Sequence, residues 1–293
     1  MTAPAKNSSA DRELWRALAV LAEEPSASHA PIVEALELDP APDSAAHTDL
    51  FVFQLFPWAS VYLGPEGQRG GEVEDRIAGF WRALGATPPA ECDHVSVLLA
   101  AYADLAERVA DARAERAARA FFWEYLGSWL PAFLARAREL ANGFYGRWAA
   151  LAAATLRDEA AGLGGPPAEQ PAALREAPPL PDPRRTGAEE FLDGLLAPAR
   201  SGLVLVRDDL RRAGAGLGLA VRPGERRWVL RGLLSQDPPG LLAWLGGEAR
   251  RQEALWARSF PRCAAAGRWS RRAAETTRLL DELARESRDA TPA

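Results

Sequence analysis

The sequence contains little cysteine and little histidine. Its two cysteines, Cys92 and Cys263, lie far apart and outside any CxxC or Cys/His pattern, so neither a disulfide framework nor a zinc site is indicated. The three histidines, His29, His47 and His94, are dispersed, and the chain has no HExxH, GxSxG or Walker-type GK[ST] motif. A hydrolase or a metalloenzyme is therefore disfavoured, and the sequence predicts no metal ligands, no cofactor and no catalytic residues.

Long hydrophobic segments are also missing. Residues 1–10 are polar and lack the charged-then-apolar pattern of a secretory signal, and the longest apolar stretch, residues 50–63, is too short to span a bilayer. The sequence therefore predicts a cytoplasmic protein that is neither exported nor inserted into a membrane.

Charge is distributed unevenly along the chain. There are 35 basic and 40 acidic residues, and Lys6 is the only lysine. Residues 1–185 carry 17 basic and 26 acidic side chains, a net of −9, whereas residues 186–293 carry 18 and 14, a net of +4. An acidic N-terminal part argues against a nucleic-acid partner and favours a basic ligand. The alternative is that this charge serves solubility alone.

Apolar residues recur at helical spacing throughout the chain. The clearest stripe comprises Val95, Leu98, Leu99, Tyr102, Leu105, Ala106 and Val109. Asp93, Ser128 and Asp237 are predicted to cap helices, and Asn142-Gly143 to end one. Pro57 is predicted to kink or restart the helix within residues 50–63. No stretch alternates with period two, so the fold class is all-α, with residues 93–160 forming successive helices of a bundle.

A proline-rich stretch separates two helical parts. Seven prolines lie within residues 166–183: Pro166, Pro167, Pro171, Pro178, Pro179, Pro181 and Pro183. This composition predicts an extended, semi-rigid linker. The predicted domains are a helical domain at 1–160, a linker at 161–186 and a smaller helical unit of unknown role at 187–293.

The C-terminal part offers two weaker signals. Gly214, Gly216 and Gly218 follow an apolar run, but charged residues intervene, so a helix end with a turn is favoured over a dinucleotide-binding loop. Several arginines share one region and suggest a helix-turn-helix that grips phosphate. Interleaved acidic residues favour a solvated helical face instead. The arginines are Arg207, Arg211, Arg212, Arg222, Arg226, Arg227 and Arg231.

Four strings occur together in a characteristic order: LFPWASVYLGPEG (55–67), ECDHVSVLLAAYADLAE (91–107), FFWEYLGSWLPAFL (121–134) and NGFYGRWAALAAATL (142–156). In this combination and spacing the chain resembles the TorD/DmsD-type molecular chaperones, over about residues 48–160. The residues beyond Thr186 look like the tail of longer members of that family.

The resemblance implies a TorD-like helical bundle and a redox enzyme maturation function. Members bind the twin-arginine signal peptide and the apo form of a molybdopterin oxidoreductase catalytic subunit in the cytoplasm, and they assist cofactor insertion before export or assembly. The implied partners are that subunit and its signal peptide, without nucleic acid or membrane insertion, and the implied assembly is a monomer or homodimer.

The resemblance also implies which residues bind the peptide. The family's Asp-His pair corresponds to Asp93 and His94, and its Leu-Phe pair to Leu50 and Phe51. Its Trp-x-Ser-Val-aromatic element corresponds to a run containing Trp58, Ser60 and Tyr62, and Trp129 is a further candidate. A peptide with arginines followed by an apolar stretch needs acidic groups beside an aromatic groove, which these residues would supply. For each aromatic residue the alternative role is core packing.

Two other functions are compatible with the residues alone. One is a helical sensor domain with an Arg-rich, DNA-binding C-terminal unit, which would bind duplex DNA in a salt-sensitive way. The other is an enzyme in which Asp93 and His94 act as acid and base, which loss of turnover in His94→Ala would reveal.

Overall fold

The computed structural model describes residues 9–108, 112–164, 172–259 and 264–290, and the regular secondary structure of these ranges is helical. The N-terminal helices are α1 (Ser9–Val20), α2 (Ala30–Ala35), α3 (Ser44–His47), α4 (Ala59–Leu63), α5 (Glu72–Ala83), α6 (Val95–Glu107), α7 (Ala112–Phe121), α8 (Leu130–Leu140) and α9 (Phe144–Gly162). A 3₁₀ turn at Ala27–His29 and π-helical turns at Thr48–Gln54 and Phe122–Leu126 lie between them.

The C-terminal helices begin within the proline-rich stretch. They are α10 (Ala172–Glu176), α11 (Pro183–Thr186), α12 (Ala188–Leu196), α13 (Pro198–Ser201), α14 (Arg207–Leu217), α15 (Arg226–Gln236), α16 (Pro238–Ser259) and α17 (Ala264–Asp289). Within the described ranges the extended pairing is a single isolated bridge between Trp58 and His94, so the predicted all-α class is confirmed. No described helix is long and apolar enough to cross a membrane.

The segment from Thr48 to Leu63 changes conformation at Pro57, as the sequence predicts. Its first part is a π-helical turn in which the amide of Leu55 donates to the carbonyl of Leu50. The chain then runs extended through Trp58, and α4 begins at Ala59. A proline cannot donate the amide that a continuous helix requires, so the helix restarts after it.

Aromatic side chains fill the core of the N-terminal bundle. α1 packs against α6, and α8 packs against α9. Trp15 of α1 meets the ring of Tyr102 edge-on at 5.1 Å, and the indole of Trp148 donates to the carbonyl of Leu18 at 3.1 Å. Edge-on ring pairs add to the free energy gained from burying apolar area, so these contacts fix how α1 lies on the bundle.

Two predicted helix ends are confirmed and two predicted caps are wrong. Asp237 accepts from the amide of Gly240 at 2.9 Å just before α16, and Gly218 ends α14 in the left-handed conformation with φ 67°. Asp93 does not cap α6, because the imidazole of His94 takes that place. Ser128 does not cap α8, because its hydroxyl turns back to the carbonyl of Glu124 at 2.6 Å.

The C-terminal helices have a core of their own and also complete the first one. The second core lies between α12, α14, α15, α16 and α17 and is rich in leucine. Trp256 of α16 and Trp269 of α17 are instead buried with the N-terminal helices. The indole of Trp269 donates to the carbonyl of Ser128 at 2.9 Å. The two helical parts therefore share a core.

The described part of the predicted linker that follows residue 171 packs against the protein. Leu174 and Ala177 join the first core, and Leu180 joins the second. Pro166, Pro167 and Pro171 lie outside the described residues. The division of the chain into a bundle, a linker and a C-terminal unit stays a prediction.

Candidate functional site

Two of the four characteristic strings meet at the bridge between Trp58 and His94. The amide of Ala59 donates to the carbonyl of Asp93 at 2.9 Å, and the amide of Val95 donates to the carbonyl of Pro57 at 2.8 Å. The bridge joins the residue before α4 to the residue before α6, so it holds the starts of both helices together. Residues from both strings thereby share one surface region.

The carboxylate of Asp93 ties these helix starts together from the inside. It is fully buried, and its Oδ2 accepts from the amide of Ser60 at 3.1 Å and from the hydroxyl of Ser60 at 2.5 Å. The same hydroxyl accepts from the amide of Gly70 at 3.0 Å. The second carboxylate oxygen, Oδ1, has no hydrogen-bond partner among the described residues. Asp93 therefore positions the 58–60 turn, and its charge does not face solvent.

His94 caps α6 in its neutral form. Its Nδ1 accepts from the amide of Ser96 at 3.2 Å and lies 2.7 Å from the hydroxyl of that serine. Burial lowers the pKa of His94 below its ordinary value, although the carboxylates of Glu91 and Asp93 act in the opposite direction. An imidazole that accepts an amide proton at Nδ1 must be unprotonated there, so the cap and the lowered pKa agree.

The exposed part of the site is an arginine held between an indole and a carboxylate. Arg69 lies over the ring of Trp58, with 4.7 Å from its guanidinium carbon to the ring centroid. It also pairs with Glu91 at 2.7 Å, and both charged side chains are about half exposed, at 48% and 45%. Glu91 adopts the left-handed conformation, with φ 54°. The Trp58 indole N–H is buried and has no partner among the described residues.

Most of the aromatic residues predicted to line a groove belong to the core. Leu50 and Phe51 are 3% and 1% exposed, and Phe51 meets Tyr145 edge-on at 5.0 Å. Tyr62 stacks on Trp129 at 5.0 Å, and both are buried. The hydroxyl of Tyr62 donates to the carbonyl of Phe56 at 2.8 Å, and the indole of Trp129 donates to that of Tyr125 at 2.7 Å.

The predicted groove therefore needs correction. Leu50, Phe51, Tyr62 and Trp129 line no open surface, because packing and hydrogen bonds enclose them. Trp58 and His94 are only partly buried and remain accessible. Directly after the buried Leu50–Phe51 pair, Val52 and Phe53 are 50% and 45% exposed. A role in peptide binding for any of these residues stays a prediction.

Sequence reasoning missed Arg69 and Glu91. Glu91 opens one of the characteristic strings, but Arg69 lies two residues beyond the other, and nothing in the order of residues shows that they pair. The left-handed conformation of Glu91 turns the chain so that the amide of His94 donates to the Glu91 carbonyl at 2.9 Å. Non-glycine residues adopt this conformation uncommonly, and such positions concentrate at functional sites.

Acid–base chemistry by Asp93 and His94 finds no support in the arrangement of their side chains. The carboxylate is engaged by Ser60, and the Nδ1 of His94 by Ser96, so the two are not arranged as a catalytic dyad. Burial raises the pKa of the neighbouring Cys92 thiol to about 11, which disfavours a thiolate nucleophile. Among the described residues no cluster of three or more potential metal-ligating side chains occurs.

Most of the C-terminal arginines are paired with carboxylates. Arg212 contacts Asp209 at 2.7 Å, and Arg227 contacts Glu189 at the same distance. Arg231 also pairs with Glu189, and Arg226 is partly buried and donates to the carbonyl of Leu205 at 2.7 Å. This pairing favours the solvated helical face over a phosphate-gripping one. DNA binding therefore gains no support from these helices.

Comparison with known proteins finds a matching family. No curated protein matches the chain. Residues 11–135 match the family model described as nitrate reductase delta subunit, and this range contains both halves of the Trp58–His94 bridge. That family is one of maturation chaperones for molybdoenzymes, not a family of catalysts. The match supports, over residues 11–135, the predicted resemblance to TorD-type redox enzyme maturation proteins.

Proposed function

We propose that this protein is a cytoplasmic chaperone that binds the twin-arginine signal peptide and the apo form of a molybdopterin oxidoreductase. The observation that carries the proposal is the family match over residues 11–135, which includes the surface around Trp58, Arg69, Glu91 and His94. The net charge of −9 over residues 1–185 supports a basic ligand, because the summed field attracts it.

The peptide arginine takes the place of Arg69. A guanidinium already lies over Trp58 and against the carboxylate of Glu91, so the surface has the shape and charge that recognise this group. Arg69 and Glu91 are about half exposed, and an exposed ion pair is worth little, so exchange of one arginine for another costs little free energy. Neutral His94 adds no repelling charge beside the site.

The buried residues of the predicted site hold the binding surface in shape. Asp93 holds Ser60, and through it the turn that carries Trp58, so it supports the binding surface without touching the peptide. The apolar stretch of the signal peptide contacts Val52 and Phe53, the exposed side chains that follow the buried Leu50–Phe51 pair. Apolar side chains exposed next to each other are typical of a peptide-contacting surface.

The test is calorimetric titration of synthetic twin-arginine signal peptides into the full chain. Replacing both peptide arginines by alanine is expected to weaken binding by about 1 to 3 kcal/mol, as for charge-assisted hydrogen bonds. Added salt is expected to weaken it further. If no twin-arginine peptide binds the wild-type protein, the signal-peptide function is wrong.

Two variants with opposite expected effects on peptide binding test the site itself. Glu91→Gln removes the carboxylate and is expected to weaken binding by about tenfold, whereas Arg69→Gln removes the competing arginine and is expected to leave binding equal or stronger. Phe53→Ser is expected to weaken binding, with Leu84→Ser as its control, because Leu84 is exposed to a similar extent, 44%. Equal binding by Glu91→Gln and wild type would place the peptide elsewhere.

Asp93→Asn and His94→Ala need a stability measurement beside the titration. Asp93 is buried among hydrogen bonds and His94 caps α6, so both changes are expected to lower stability by about 1 to 3 kcal/mol. Weaker binding counts as a site effect only where circular dichroism shows that the variant is folded.

A further inference from the structure

A cavity of about 270 Å³ lies between α10, α13 and the first turns of α17, away from the Trp58–His94 bridge. Its charged lining consists of four arginines, Arg175, Arg268, Arg271 and Arg272, and one carboxylate, Glu275. Leu174, Pro198, Ala199 and Trp269 supply its apolar wall. The cavity is thus a concave, strongly basic site with a rigid apolar base.

Two of these arginines have donors that no described residue uses. Arg272 is held by the carbonyl of Ala177 at 2.5 Å and by Glu275 at 3.4 Å. By contrast, neither Arg268 nor Arg271 forms an ion pair with a described residue, and the buried Nε of Arg268 has no hydrogen-bond partner among them. Each guanidinium carries five N–H donors in a planar fork that matches the oxygens of a phosphate.

The gathering of like charge is costly without an anion. Burial lowers the pKa of Arg268, and the charges of Arg271, Arg175 and Arg272 lower it further. Trp269, next to Arg268 in α17, is buried and its indole donates to the carbonyl of Ser128 at 2.9 Å, so this part of the helix is held against the protein. A bound anion would relieve this repulsion and occupy the free donors together.

We propose that this cavity binds a small phosphorylated anion between Arg268, Arg271 and the arginines beside them. A phosphate or diphosphate group brings several oxygens and more than one negative charge into a space of this size, which suits clustered guanidiniums. Arg175 pairs with Glu176 at 3.6 Å and Arg272 with Glu275, so a single carboxylate of a protein partner would balance only one of the two remaining guanidiniums. The proposal does not depend on signal-peptide binding, since it concerns other residues.

The test is titration of inorganic pyrophosphate into the full chain by calorimetry at low and moderate salt. We expect binding that weakens as salt is added, and a loss of affinity of about tenfold or more in Arg268→Gln and in Arg271→Gln. The control is Arg288→Gln, which removes the same charge from the last turn of α17, about 30 Å along the helix from Arg268. That variant is expected to bind like wild type.

Three outcomes would overturn the proposal. The first is the absence of pyrophosphate binding by the wild-type protein at millimolar concentration. The second is an equal loss in Arg288→Gln, which would indicate attraction by overall charge alone. The third is binding of a hexaglutamate peptide in preference to pyrophosphate, which would assign the cavity to an acidic protein segment. Arg272 is left unchanged because its contacts with Ala177 and Glu275 serve the fold.

Discussion

Arg136 of α8 and Asp209 of α14 form a buried ion pair between residues 73 positions apart in the chain. The Nη2 of Arg136 lies 2.8 and 2.7 Å from the two carboxylate oxygens of Asp209, and the residues are 2% and 1% exposed. The carboxylate also accepts from the amide of Val206 at 2.9 Å and from Arg212 at 2.7 Å. This pair joins the N-terminal bundle to the C-terminal helices.

Asp209→Ala is expected to lower the free energy of unfolding by about 3 to 5 kcal/mol, because it leaves a buried guanidinium without its carboxylate. The measurement is urea unfolding followed by circular dichroism. The matched control is Asp208→Ala, which removes a carboxylate at the half-exposed neighbouring position and is expected to cost about 1 kcal/mol or less. The double variant Arg136→Met/Asp209→Leu is expected to lose less free energy of unfolding than the sum of the losses in the single variants Arg136→Met and Asp209→Leu. Additive losses would mean that the two residues do not depend on each other.

A chain cut within residues 161–186 is expected to remain one particle. The proline-rich composition predicts that limited proteolysis cuts there first. The fragments nevertheless share a core through Trp256 and Trp269, and the Arg136–Asp209 pair crosses between them. Size-exclusion chromatography of the cut protein is expected to give one peak containing both fragments, which separates into two in urea. Separate peaks without denaturant, or a first cut within 93–160, would contradict this.

The sequence predicts the helices well because their signal is local. Apolar periodicity, Pro57, the Asp237 cap and the Gly218 helix end are all readable within a few residues. Contacts between residues far apart in the chain cannot be predicted from such local patterns. The segment around Asp93 predicts that this residue caps a helix, whereas in the structure its carboxylate accepts from Ser60, 33 residues earlier.

The candidate site shows the same division. The same types of aromatic residue line grooves and fill cores, so residue type does not distinguish the two roles. Only the packing of the folded chain shows that Phe51, Tyr62 and Trp129 are enclosed. The Arg69–Glu91 pair and the Arg136–Asp209 pair depend on how helices are brought together. Neither has a sequence pattern of its own.

His94 is expected to make stability depend on pH in mildly acidic solution. Its pKa in the folded protein lies below the value of about 6.5 in the unfolded chain, so protons bind the unfolded state preferentially. The stability that neutral His94 contributes is fully present above about pH 6.5 and is lost as the pH falls toward the pKa of His94 in the folded protein. His94→Asn keeps a side chain that can cap α6. Its free energy of unfolding, measured in urea, is therefore expected to fall less between pH 7 and pH 5 than that of the wild-type protein. Burial also lowers the pKa of His47, and that contribution remains in both proteins. Identical slopes would show that the pKa of His94 does not differ between the folded and unfolded states.

The last prediction compares two glycines in the loop before α5. Gly67 and Gly71 both have positive φ, 64° and 74°, so alanine at either position is expected to cost about 1 to 3 kcal/mol of backbone strain. They differ in their surroundings. A Cβ on Gly67 would lie 2.6 Å from the carbonyl oxygen of Leu196 and 2.7 Å from the Cα of Ala197, whereas a Cβ on Gly71 meets nothing within 4 Å. Because Leu196 and Ala197 are backbone of the C-terminal part, Gly67→Ala must push the two parts of the protein apart.

We therefore expect Gly67→Ala to destabilise the protein more than Gly71→Ala, because overpacking against backbone adds about 1 to 3 kcal/mol to the strain of the positive φ. Thermal unfolding of both variants under one set of conditions measures the difference. If the approach of the loop to α12 and α13 joins the two parts, Gly67→Ala is also expected to make the cut chain described above separate into its fragments more readily, whereas Gly71→Ala does not. Equal stability of the two variants would show that the loop does not contact the C-terminal part in solution.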